Sequence, residues 1–254
     1  MTWKLNIRRE ATVVASLIGL MFLISFAERK QEAIVCNDII IELDNLNENH
    51  FLDEADVLKL VENSGIPVKG NNIQRINLKE IEQKLMTDKH IAEAQLFTDL
   101  KGYLTVKVTL RRPIARLVQQ DAPDAYIAED GTIMPMSEKY TSRVLLLSGA
   151  YVKHLLESRD LSTTDDGKQI LEMIEFVNTD KFWKAQVAQM DINSTGRITI
   201  YPQVTGQKVE FGKVEDIETK FEKLMIFYKR ILPQRGWTKY ERVNLEYEGQ
   251  VIAE

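Results

Sequence analysis

Apolar and polar positions change period several times along the chain, and each change predicts an element. Residues 11–27 read ATVVASLIGLMFLISFA without one charge, between Arg8-Arg9-Glu10 and Glu28-Arg29-Lys30. At the helical rise such a stretch extends about 25 Å, the short end of what spans a bilayer core. Lipid offers no partner to backbone groups, so a single segment can cross it only as a helix. The expectation is a membrane anchor carried by Ala11, Val14, Leu17, Leu20, Phe22, Leu23 and Phe26. Two rival readings exist. Ser25-Phe26-Ala27 offers a signal-peptidase site, but the apolar run exceeds the usual length of such signals and strong charge follows at once. The second rival is a buried core helix, but the stretch has no polar face, which a surface helix of a small domain would need.

Lys4, Arg8 and Arg9 precede the stretch, against Arg29 and Lys30 after it, which favours the N-terminus inside.

Beyond the anchor the pattern turns to strands and helices. An isoleucine-rich run at 35–43 predicts a strand. Val57, Leu58 and Val61 share one face of a helix over 53–63 that Gly65 stops, and Asn77 caps a second helix over 78–87 bearing Leu78, Ile81 and Leu85. Ala92, Ala94 and Leu96 alternate, as do Leu104, Val106, Val108 and Leu110, with Asp99-Leu100-Lys101-Gly102 as the hairpin turn between them. The unit reads β-α-α-β-β and ends at Pro113, a residue that cannot donate to a sheet ladder.

The second half is β-rich. Short strands are expected at 115–119, 126–128, 132–134, 144–147, 187–192, 198–201, 209–211 and 242–247, with turns at Asp130-Gly131 and Ser194-Thr195-Gly196. Two helices interrupt them, over 167–177 and 214–232. The second is the most regular element, with Val214, Ile217, Phe221, Leu224, Tyr228, Ile231 and Leu232 on one stripe. That stripe is read as core rather than as a docking seam, because a sheet of this size needs a helix to cover it.

Charge narrows the function classes. The first thirty residues hold five basic and two acidic side chains, leaving 28 basic and 36 acidic in the remainder, a net of −8. Nucleic acid is therefore not an expected partner, since phosphate neutralisation supplies most of that affinity. His50, His90 and His154 are scattered without metal-ligand spacing and read as surface or capping residues. Cys36, the lone cysteine, reads as a buried small residue. Asp165-Asp166 and Glu215-Asp216 sit where helices begin, a placement the helix dipole favours. With no phosphate loop and no nucleophile elbow, neither an enzyme activity, a cofactor, a metal nor a small-molecule substrate is expected.

Three stretches resemble the bacterial cell-division family FtsQ/DivIB. Val106 to Ala115, VKVTLRRPIA, is similar to the strand that closes its POTRA domain. Tyr126 to Pro135, YIAEDGTIMP, is similar to the opening of its β domain, and Arg242-Val243-Asn244-Leu245-Glu246-Tyr247 to its terminal strand. Leu110 and Ala128 depart from the acidic residues often found there, and the tail before the anchor is only about ten residues long.

The resemblance implies an α+β fold in fixed order. A cytoplasmic tail (1–10) and transmembrane helix (11–27) lead to a POTRA-like domain (35–112). A β domain with two helices on a curved mixed sheet (113–247) and a C-terminal tail (248–254) follow. It implies a single-pass protein of the plasma (inner) membrane at the division septum, with its domains outside the cytoplasm. The implied partners are FtsB/DivIC-like and FtsL-like coiled-coil proteins, through which the family regulates septal peptidoglycan synthesis.

For this chain the expected docking element is residues 242–247, as an edge that accepts a partner's strand. Tyr247 would anchor it, while Arg242, Asn244 and Glu246 face the other way from Val243 and Leu245. The competing view is an ordinary strand paired on both sides. Other classes are an outer-membrane assembly or secretion component, which would normally repeat the POTRA-like unit and add a barrel, and an exported enzyme with a cleaved signal.

Overall fold

The computed structural model describes residues 12–23, 34–44, 50–120 and 122–254. Residues 12–23 form helix α1, all of them exposed. Among the described residues no helix is long and apolar enough to cross a membrane. The expected anchor is only partly covered, because Ala11 and residues 24–27, including Phe26, lie outside the described residues.

The chain divides into two compact units, residues 1–44 with 52–109 and residues 45–51 with 110–254. The first holds β1 (Asp38–Asp44), α2 (Glu54–Glu62), α3 (Leu78–Leu85), β2 (Ile91–Thr98) and β3 (Tyr103–Leu110), in the predicted β-α-α-β-β order. Its sheet runs β1-β3-β2, with β1 parallel to β3. Asp53 starts α2 by accepting from the Asp56 N–H at 2.9 Å, while Asp56 accepts from the Asp53 N–H at 3.1 Å, a reciprocal cap. Asn77 caps α3. Val57, Val61, Ile81 and Leu85 turn inward against Leu104, Val106 and Val108, all buried. Removing any of these from water contributes roughly 1.5–3 kcal/mol.

The second unit is one nine-stranded mixed sheet. Its strands are β4 (Pro113–Leu117), β5 (Ala125–Ala128), β6 (Ile133–Pro135), β7 (Leu145–Ser148), β8 (Val187–Ile192), β9 (Ile198–Pro202), β10 (Lys208–Gly212), β11 (Arg242–Asn244) and β12 (Ile252–Ala253). Their order across the sheet is β12-β11-β10-β9-β8-β7-β4-β5-β6. Pro113 opens β4, and the register shifts between Pro113 and Ala115, so the missing N–H falls at an irregular first position.

Helices α4 (Val152–Glu157), α5 (Asp165–Thr179), α6 (Lys181–Gln186), α7 (Ile217–Ile226) and α8 (Leu232–Arg235) accompany this sheet. Phe221 is central to the core, stacked on Phe176 with ring centres 4.8 Å apart and 4.7 Å from the Trp183 ring. Tyr126 fills a smaller core with Phe51, Ala128 and Met134, and its hydroxyl accepts from the Ser142 N–H at 3.0 Å.

The single helix expected over 214–232 is divided. Asp216 takes a left-handed conformation (φ 50°), so α7 begins only at Ile217. Phe227–Ile231 then widens to a π-turn before α8. Pro233 cannot donate an N–H to the turn before it, which breaks the regular ladder there.

His90 also departs from expectation. It is buried rather than at the surface, with Nδ1 3.0 Å from the Asp88 carboxylate. His50 and His154 are exposed. Cys36 is buried and unpaired, and burial pushes its thiol above the ordinary value.

Candidate partner-docking edge

The residues expected to receive a partner lie at one end of the nine-stranded sheet, but they do not form its edge. Only Arg242–Asn244 is strand, and β11 is paired on both sides, parallel to β10 and antiparallel to β12. The terminal strand is therefore β12. The physical reason lies in the next three residues. Leu245 still donates to the Glu210 carbonyl (2.9 Å), but Glu246 donates its N–H back to the Asn244 side chain at 2.9 Å, and that turn takes the chain out of the ladder. Lys223 on α7 donates to the carbonyls of Leu245 (3.0 Å) and Tyr247 (2.8 Å) and holds the departing segment. Arg197 forms an ion pair with Glu246.

Two faces result. Val243 and Leu245 are fully buried beside Val209 and Phe211, with Val251 and Ala253 packed against them. On the other face a line of charge crosses three strands. Arg242 lies 3.4 Å from Glu210 and 2.9 Å from Glu254, and Asn244 donates to Glu210 at 2.7 Å. Such exposed pairs add little energy, typically under about 1 kcal/mol, but they oppose a slip in register.

The backbone pattern shows which groups of β12 remain open. Arg242 and Glu254 exchange both bonds, N–H to O at 3.1 Å and 3.0 Å, so they are a hydrogen-bonded pair. Antiparallel partners alternate between bonded and non-bonded pairs. Val243 and Ala253 are thus a non-bonded pair, and the N–H and C=O of Ala253 point away from β11 to the outer side. Among the described residues nothing pairs with that side. Ile252, within this short edge, is 37% exposed, and Tyr247, in the segment that leads from β11 to it, is 50% exposed.

Sequence reasoning missed β12 because two residues, Ile252 and Ala253, are too few to show a period. Chemistry is sparse elsewhere. Among the described residues no group of three or more His, Cys, Asp or Glu side chains could hold a metal ion. Tyr151 donates to Asp166 at 2.6 Å, and burial together with that carboxylate pushes its phenol up to about 12, so it stays protonated at neutral pH. A cavity of about 650 Å³ is lined by Arg116, Arg143, Lys184 and the ends of β4, β7 and β8. Arg116 is bound there to Asp124 at 2.8 Å through Nε.

Two family models match the sequence. One, described as FtsQ/DivIB, C-terminal related, covers residues 112–254. The other, described as a POTRA-like domain, covers residues 34–109. No curated protein matches the chain.

Proposed function

The chain belongs to the FtsQ/DivIB family through its C-terminal region, and on that premise we propose that it is a non-enzymatic scaffold of the bacterial division machinery. Residues 11–27 anchor it in the plasma membrane with the N-terminus in the cytoplasm, and the POTRA-like and C-terminal domains that follow lie outside. In that position it binds FtsB/DivIC-like and FtsL-like coiled-coil proteins and so regulates septal peptidoglycan synthesis. The family match carries this reading. The apolar surface of α1 supports the anchor, because Ile18, Met21, Phe22 and Leu23 are each more than half exposed and a helix of that kind needs a non-aqueous surround.

The partner's strand adds at the β12 end of the sheet. It pairs with the outward N–H and C=O of Ala253, while Ile252 and Tyr247 offer the side-chain contacts that give such additions their specificity. Arg242 and Asn244 act one strand inward, since the Arg242–Glu254 pair fixes where β12 lies. Addition outside β12 breaks no bond, whereas pairing directly with β11 would first have to strip away the Arg242–Glu254 ladder.

Ala253→Pro separates the two routes. The proline removes the outward donor and leaves the β11–β12 bonds in place, because Ala253 is in a non-bonded pair. Pull-down from membranes should show capture of the coiled-coil partners reduced about tenfold, with unfolding unchanged. Undiminished capture would end the outer-edge reading. Depletion of the protein should give filaments whose septa fail to close, and normal septation would count against the division role itself.

A further inference from the structure

The sheet of the first unit has one covered and one open face. Alternate positions on its strands face away from α2 and α3. In β1 and β3 these pair as Asp38 with Tyr103, Ile40 with Thr105, Glu42 with Lys107 and Asp44 with Thr109. The half of the open face towards Asp44 is polar, with Lys107 bound to Asp44 at 3.2 Å and Gln95 to Glu93 at 2.7 Å. The other half carries the Asp38 carboxylate, bound to Lys69 at 2.8 Å, and beside it a group of apolar side chains. Ile40 and Tyr103 are 44% and 38% exposed, Phe97 is 50% exposed, and Leu100 at the tip of the β2–β3 hairpin is 74% exposed.

That apolar end is also where the chain enters the unit. Asn37 donates its backbone N–H to the Gly102 carbonyl at 2.7 Å and its side chain to the Lys101 carbonyl at 2.8 Å. Gly102, at φ 92°, has no room for a side chain, since a Cβ would lie 2.5 Å from the Val35 carbonyl oxygen. The hairpin tip is thus pressed against the incoming strand. Asp99 stiffens it by accepting from the N–H groups of Lys101 (2.9 Å) and Tyr103 (2.8 Å).

Only residues 28–33 separate the apolar stretch ending at Ala27 from Ile34. Fully extended they reach about 20 Å, so the tip cannot stand far from the surface that holds the stretch. Aromatic and leucine side chains beside lysines suit a bilayer interface, where the rings meet the acyl boundary and the ammonium groups meet phosphate.

We propose that Phe97, Leu100 and Tyr103, with Lys101 at the tip, dock the first unit onto the lipid surface of the membrane that carries residues 11–27. The inference rests on the anchor reading. It gives the POTRA-like unit a fixed orientation, with its open sheet face towards lipid at one end and its charged far half clear of it. The docked area is small, so the contact orients a tethered domain rather than recruiting a free one.

Photo-crosslinking in the full chain tests this in native membranes. Benzoylphenylalanine replaces Leu100, Glu93 or Leu17 in turn, and adducts are identified by mass spectrometry. The expected result is phospholipid adduct at position 100 about tenfold above that at position 93, with strong lipid adduct at position 17. Lipid adduct at 17 with none at 100, or with only protein adduct at 100, overturns the docking and leaves the anchor standing. No lipid adduct at 17 removes the anchor and the docking together. Leu100→Asp, an exposed change that leaves the core intact, should lower lipid adduct at position 97 by a similar factor when the crosslinker is placed there. An unchanged yield at 97 would also count against the proposal.

Discussion

The nine-stranded sheet ends in β6 on one side and β12 on the other, and the two ends are finished differently. At the β6 end, Ile133 donates to the Arg159 carbonyl at 3.1 Å, Leu161 donates to the Gly131 carbonyl at 2.9 Å, and Thr132 bridges Asp160. The strand then stops at Pro135, which has no N–H to offer. That edge is covered by the protein's own chain. At the β12 end the final strand is two residues long, and the backbone of Ala253 faces outward. Short edge strands are a common defence against unwanted pairing, because they limit the number of bonds a stray strand can form. One edge is therefore closed by cover, while the other is merely kept short. A partner that brings its own strand and side-chain contacts can use the second and cannot use the first.

The largest expected effect comes from breaking the covered edge. Gly131 has φ 88°, and a Cβ there would lie 3.0 Å from the Ser162 N and 3.1 Å from Leu171. Gly131→Val forces a β-branched residue into a left-handed backbone and pushes the 159–162 segment off β6. The cost should be about 2–3 kcal/mol, seen as a fall of about 5–10 °C in the thermal unfolding of the second unit. The comparison sharpens if partner capture survives at temperatures where the variant stays folded. A loss of capture with folding intact would mean that the β6 end takes part in docking.

A smaller effect is expected at the open edge. Lys223→Met keeps the side-chain length and removes the ammonium that holds the Leu245 and Tyr247 carbonyls. Losing those bonds should weaken the local structure by about 1–2 kcal/mol. Hydrogen exchange should quicken across residues 245–254 and stay unchanged in β4 to β6. Uniform quickening would show that α7, rather than the edge, had been loosened.

These two ends also show how much the sequence could reveal. Asp130-Gly131 was legible as a turn because its chemistry is local, a carboxylate accepting from Thr132 at 3.0 Å followed by a residue free to take positive φ. The segment that covers β6 was not legible, because Thr132 and Asp160 meet only through folding. Helices α4 and α6 were missed for a related reason. Each has six residues, too short for a period, and Tyr151 gives α4 no side-chain cap to mark its start. At the docking end, Val243 and Leu245 were expected among the partner-binding residues, yet both are fully buried, as the competing view of an ordinary paired strand requires. What alternation cannot show is how many neighbours a strand has, so the cover that β12 provides stayed hidden. Tyr126 and Pro135, quoted above for their likeness to the family, prove to serve the small core and the closed edge.

The smallest expected effect concerns acid. Burial alone would raise the carboxyl of Asp130, but the hydrogen bonds from Arg111, at 2.8 Å, and from Thr132 outweigh it and hold the group below its ordinary 3.8. A carboxyl lowered in the folded state adds stability above its unfolded value, and that stability is lost as pH falls through the folded value. Since the Asp130 side chain is about half exposed, solvent screening limits the contribution to about 0.5 kcal/mol or less. Asp130→Asn should therefore lower the unfolding temperature slightly at neutral pH, and the gap from the parent chain should close below about pH 4. Arg111 and Thr132 both reach this one carboxylate beside β6, so the lost protection should appear as faster exchange at residues 131–135. A gap that persists in acid would mean that the asparagine had disturbed the turn itself, with the charge contributing nothing to the covered edge.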